Sequence, residues 1–220
     1  MSQIFEGILN WSEVWALLIP LSVLALKARQ PGYLQPVIIY LWIALFINLT
    51  GDMIGDFRDQ LPLWIQSNNV LYNLHSIVRF ICFSLFFILL AQSSFRALKK
   101  MLPVIFLVFI TVNFSSAENF FNPAHLSGNL LATEAYLLLI YCMTYYLSQL
   151  REDIQVISRG KDFWVVTGLS IYVVTNFFVF LFYVPMINDN LKLAASMWNV
   201  HNIAYIILCL SIARSFYVAS

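Results

Sequence analysis

Charge is what this chain has least of. Twelve Lys and Arg and eleven Asp and Glu occur in 220 residues, 10% of the chain, where soluble domains carry about 25%. A net charge of +1 leaves no basic surface beyond short loop clusters, so no nucleic-acid role is expected. Glycine and proline are also sparse, seven of each, and no low-complexity tract, internal repeat or soluble domain is visible. The three cysteines, Cys82, Cys142 and Cys209, all lie inside apolar runs without metal-ligand or redox spacing, so they read as small core residues. The opening MSQIFEG has no basic segment, so the first apolar stretch is expected to be retained rather than cleaved as a signal peptide.

Apolar residues fill the gap: 61% of the chain is hydrophobic, 16% is aromatic, and the mean hydropathy is +0.79. This is the composition of an integral membrane protein whose first partner is the lipid bilayer. A spanning helix needs roughly 20 mostly apolar residues. Seven segments qualify, at about 8–27, 34–55, 68–92, 101–117, 128–149, 163–184 and 193–217, within one transmembrane domain covering residues 1–220. Pro31-Gly32, Pro62, Pro103 and Pro185 mark their limits, and Ser67, Ser127 and Asp162 are candidate N-caps. The fourth segment is the shortest. The expected fold class is all-α, a polytopic seven-helix bundle.

Loop charges give the orientation. Successive loops carry Lys27 and Arg29; Arg58; Arg96, Lys99 and Lys100; none; Arg151, Arg159 and Lys161; and Lys192, with Arg214 near the end. Odd loops are rich and even loops poor, which places the N-terminus outside and the C-terminus in the cytoplasm. A bacterial inner membrane is the expected location.

Polar residues within the spans then acquire a depth. Asn68, Tyr72, His75 and Arg79 follow one another at helical offsets on one face of the third segment, with Asn69 beside them. Glu13, Asn48, Asp52 and Asp56, Asn113, Glu134, Asn176, and the face Trp198, His201, Asn202 and Tyr205 all fall in the same outer half. Facing lipid, so many carboxylates and amides would be very costly. They are expected to converge on an outward-facing polar pocket, with Asn69, Tyr72, His75, Arg79, Glu134, Asn176, Trp198, His201, Asn202 and Tyr205 as its wall and Glu13, Asp52 and Asp56 on its rim.

Each signal has an ordinary counterpart. Arg79 needs a carboxylate, Glu134 first and Asp52 second, and the pair fits either ligand recognition or a structural ion pair. His75 and His201 with Glu134 would suit a zinc site, but Arg79 lies one turn from His75 and would repel a metal, so no metal or other cofactor is expected. Asp52 and Asp56 also fit a solvated helix end. Trp11, Trp15, Trp64, Trp164 and Trp198 fit interfacial belts. Asn48-Leu-Thr and Asn113-Phe-Ser match glycosylation sequons by chance, since both sit within or beside helices.

The stretch SNNVLYNLHSIVRF and the closing WNVHNIAYIILCLSIARSFY resemble those of a group of small bacterial seven-helix inner-membrane proteins to which no activity is assigned. The likeness covers the hydropathy plan and implies no reaction. In topology the chain is similar to the seven-helix sensor modules of bacterial signalling proteins, but few residues follow the last segment, so any output is expected to pass through a partner. A microbial rhodopsin needs a lysine within its last helix, and only Lys192 stands near it. Alkaline-ceramidase-like hydrolases carry a late HxxxH pair, where this chain has His201 and Tyr205. The expectation is therefore a non-enzymatic membrane protein binding a small molecule, lipid headgroup or partner segment. A zinc-dependent intramembrane hydrolase and a structural subunit of a larger membrane complex are the alternatives.

Overall fold

In the computed structural model residues 3–62, 65–90, 92, 94–121, 126–151 and 160–218 are described, with backbone alone at 3–6, 184–185 and 187–188. Regular structure among them is entirely helical. The elements are α1 (Gln3–Asn10), α2 (Ser12–Leu26), α3 (Gln35–Asp56), α4 (Asn69–Leu89), α5 (Arg96–Val112), α6 (Gly128–Arg151), α7 (Lys161–Asp189) and α8 (Leu191–Tyr217). Six are long and apolar enough to cross a membrane: α3 with its leading 3-10 turn, α4, α5 with the π-helical turn Asn113–Ala117 that extends it, α6, α7 up to Tyr183, and α8. The chain is an integral membrane protein by that measure.

Packing runs round a ring in which α8 lies on α7 and α2, α2 on α3, α3 on α4, and α4 on α6, which returns to α7. The fifth helix leans on α4 and α6 from outside. Its Val104, Leu107, Val108 and Val112 are more than half exposed, a surface suited to lipid rather than water. The interior is aromatic, with Tyr40, Phe83, Phe86, Phe87, Tyr141, Tyr172, Tyr205 and Phe216 buried. One close approach depends on a glycine. A Cβ built on Gly168 of α7 would stand 2.4 Å from Cβ of Ser211 and 3.4 Å from Cα of Leu208, both on α8.

Several expected boundaries move. The first segment is broken at Trp11, and only the 15-residue α2 continues it. The fourth predicted segment is α5, which starts at Arg96, so Pro103 sits in its third turn rather than its first, and the span is not short. A proline there withdraws the N–H that Lys99 O would accept four residues back. The hydroxyl of Tyr141 on α6 donates to that carbonyl instead, at 2.6 Å. The sixth predicted helix continues past Pro185 to Asp189, and a single residue separates it from α8. That residue, Asn190, caps α8 by accepting from the Leu193 N–H at 3.1 Å.

Of the proposed caps, Ser127 accepts from the Leu130 N–H at 3.1 Å. Ser67 accepts from the Asn69 N–H at 3.3 Å, and Asn68 takes the cap position. Asp162 lies inside α7 and accepts from the Tyr145 hydroxyl. Trp64 and Arg159 lie outside the described residues.

Candidate functional site

A helix exposes one stripe at offsets of three and four. On α4 that stripe carries Tyr72, His75, Ser76 and Arg79; on α8 it carries Trp198, His201, Asn202 and Tyr205. Tyr172 and Asn176 are one turn apart on α7, and Tyr40 and Asn48 two turns apart on α3. These side chains are buried in the bundle, Tyr72 and Trp198 partly so, as are Glu134 of α6 and Glu13 of α2.

Arg79 and Glu134 form the centre. Nε of Arg79 donates to Oε1 at 2.5 Å and a terminal nitrogen donates to Oε2 at 2.6 Å, a two-pronged pairing. Ser76 donates to Oε2 at 2.6 Å, and the guanidinium lies 4.9 Å from the ring centre of Tyr172. Arg79 and Glu134 are 3% and 1% exposed, so each charge is held by the other. This is the expected first-choice partner; Asp52 is not involved.

A second network surrounds His201. Its Nδ1 meets Oδ1 of Asn176 at 2.5 Å, while the Asn176 amide nitrogen donates to Tyr172 O, which fixes the amide's orientation. Its Nε2 meets Oε1 of Glu13 at 3.1 Å. Oδ1 only accepts, so Nδ1 carries the hydrogen of that contact. On the facing side His75 Nε2 lies 3.2 Å from the Tyr40 hydroxyl, which reaches Tyr205 at 3.4 Å. Asn48 donates to Tyr205 and to Glu13 O.

The break at Trp11 explains two more contacts. Carbonyls in the last turn of α1 have no following helical N–H. Ile8 O accepts from the Trp15 indole at 2.9 Å, and Leu9 O from the Asn202 amide at 3.0 Å.

Between the networks remains a cavity of about 10 Å³, walled by Glu13, Tyr72, His75, Arg79, Leu131, Phe180, Trp198, His201 and Tyr205. That is room for about one water molecule. Trp198 stacks obliquely on His201, ring centres 4.9 Å apart, and receives the edge of Tyr72 at 5.4 Å.

The expected wall is thus largely brought together. Asn69 is not part of it: it begins α4, above the cavity. Glu134, Asn176 and Asn202 support the wall from behind without lining it. Glu13, expected on the rim, is a buried wall residue, 4% exposed. Asp56 is solvent-exposed, whereas Asp52 is half-buried with Oδ2 unpartnered.

The alternative zinc set is not assembled. Glu134 is occupied by Arg79 and Ser76, and no three His, Cys, Asp or Glu among the described residues stand close enough to hold a metal. Asn48 and Asn113, the two sequon asparagines, are buried and use their amide nitrogens within the protein.

Tyr40, Ser76 and Tyr172 were not foreseen. Tyr40 shares the stripe of Ala44, Asn48 and Asp52, a spacing that signals it. No protein-family model, curated protein or solved structure matches this chain.

Proposed function

We propose that the protein is a non-enzymatic membrane receptor or accessory protein whose polar core takes up a small polar ligand and passes the change to a partner in the membrane. The observation that supports it is the convergence of Glu13, Tyr72, His75, Arg79, Trp198, His201 and Tyr205, from α2, α4 and α8, on one small cavity. Polar side chains at membrane depth mark sites of function by default. With room for one water, this is an occluded arrangement, and a larger ligand enters by parting α2 from α8 at the Glu13–His201 contact.

In this reading the chain crosses seven times, with α2 as the first and shortest crossing. The polar core faces outward, and the Lys and Arg at the opposite end face the cytoplasm of a bacterial inner membrane.

The test is thermal unfolding of the purified protein in nanodiscs against a panel of small amines, carboxylates and polyols. Saturable stabilisation that disappears in His201→Gln and Tyr72→Leu is the expected result. A flat response across the panel in the wild type overturns it.

A second reading, a structural subunit of a larger complex, is favoured by the mutual saturation of Arg79 and Glu134. A stoichiometric partner that stays bound through purification, together with a flat ligand response, would assign that role.

A further inference from the structure

The opposite end of the bundle carries a separate feature. There the segment leaving α2 meets the first turn of α7 and the last turn of α8, and they enclose a cleft of about 340 Å³. Lys27, Arg29, Gln30, Lys161, Phe216 and Tyr217 are among its walls, and among the described residues no carboxylate lines it.

Lys161 is 7% exposed, and its ammonium donates to Oε1 of Gln30 at 3.0 Å. The same amide donates to Lys27 O at 2.7 Å and Phe216 O at 3.2 Å, so it is fixed with its oxygen towards the lysine. The Lys27 ammonium and the Arg214 guanidinium lie over the Tyr217 ring, each 5.9 Å from its centre. Asp162, next in sequence to Lys161, is engaged by Tyr145 and does not line the cleft.

Cations gathered within one Debye length, about 8 Å at physiological salt, repel one another unless an anion joins them. A buried ammonium whose bonded partner is a neutral amide is likewise poorly compensated. Arginine and lysine at a membrane boundary, beside exposed apolar residues such as Leu26 and Tyr217, suit the phosphate of a lipid headgroup or a free phosphate.

We infer that this cleft binds a phosphate-bearing anion through Lys161, Lys27 and Arg29. The site is independent of the polar core, since the two lie at opposite ends of α2 and α8. Lys161 supplies the buried, oriented charge. Lys27 and Arg29 close over the anion from the solvent side.

The test uses the full chain in phosphatidylcholine nanodiscs. One arm titrates inorganic phosphate and follows thermal unfolding; the other replaces part of the lipid with phosphatidylglycerol and follows lipid retention by native mass spectrometry. Saturation by phosphate identifies a soluble ligand, and selective retention of phosphatidylglycerol identifies a lipid headgroup; either supports the site. Lys161→Gln is expected to weaken binding about tenfold, the loss of one charge-assisted hydrogen bond. The double variant Lys27→Gln/Arg29→Gln, at exposed positions that leave the fold intact, is expected to do the same. Lys192→Gln, at the far end of α8, is expected to change nothing. Absence of saturation in both arms, or binding undiminished in the double variant, overturns the proposal.

Discussion

Arg79 and Glu134 show how a single residue's fate is set by its partner. Each is buried and each neutralises the other, so removing one strands a charge in a medium that cannot solvate it. Arg79→Met is therefore expected to destabilise the fold by about 3–5 kcal/mol, whereas Arg79→Met/Glu134→Met recovers most of that loss. Thermal unfolding of the three proteins in one detergent checks it; a double variant as unstable as the single one would show that the pair does more than neutralise. The pairing was legible in the sequence because an arginine at that depth needs a carboxylate and few exist. Tyr40 was not, because a tyrosine among Ile, Leu and Trp reads as packing until His75 and Tyr205 are seen at its hydroxyl. Glu13 was placed at the rim because nothing local announces the break at Trp11, which turns the start of α2 into the core.

At the scale of the helix, prolines misled the boundaries. Pro103 and Pro185 read as limits in the sequence, yet α5 and α7 run through them. In a membrane bundle a neighbouring helix can satisfy the carbonyl that a proline frees, and Tyr141 does this for Lys99. Tyr141→Phe keeps the ring stacked on Phe87 but leaves that carbonyl without its donor. The expected cost is about 1–3 kcal/mol, read as a lowered midpoint in denaturant unfolding, with Tyr217→Phe at the exposed end of α8 as a neutral control. The contact between α7 and α8 depends on Gly168 in the same way. Gly168→Ala forces the Ser211 side chain or the helix backbone to shift, at about 1–3 kcal/mol, and Gly168→Ala/Ser211→Gly is expected to restore stability. Neither dependence is visible in one segment alone, since each needs the helix packed against it. What the apolar runs did convey was the all-helical class and the order of the six long helices; the first expected span is matched only by the 15-residue α2.

For the whole molecule the decisive element is α2. Fifteen residues at about 1.5 Å each give about 22 Å, short of a hydrocarbon core of about 30 Å. Yet Glu13 at one end of α2 joins the polar core, while Lys27 just past the other end joins the basic cleft. The helix therefore runs from the polar core to the basic end of the bundle, between α3 and α8. If α2 crosses as proposed, its shortness would be accommodated by local thinning of the bilayer and by interfacial anchors at its ends, with Trp11 and Trp15 on one side and Lys27 on the other. Charge agrees with this arrangement. Lys27, Arg29, Arg96, Lys100, Arg151, Lys161 and Arg214 gather at one end with Asp162 among them, and Asp52, Asp56, Asp59, Glu118 and Asp189 at the other with Arg58 and Lys192. In the proposed seven-crossing arrangement the termini would lie on opposite sides, with the C-terminus at the positive, cytoplasmic end. A fluorescent reporter that matures only in the cytoplasm should accordingly be bright when fused after residue 220 and dark when fused before residue 1, and a phosphatase active only outside should give the reverse. If both ends report the same side, α2 does not cross, and the ring closes around a re-entrant helix whose Glu13 reaches the core from the surface.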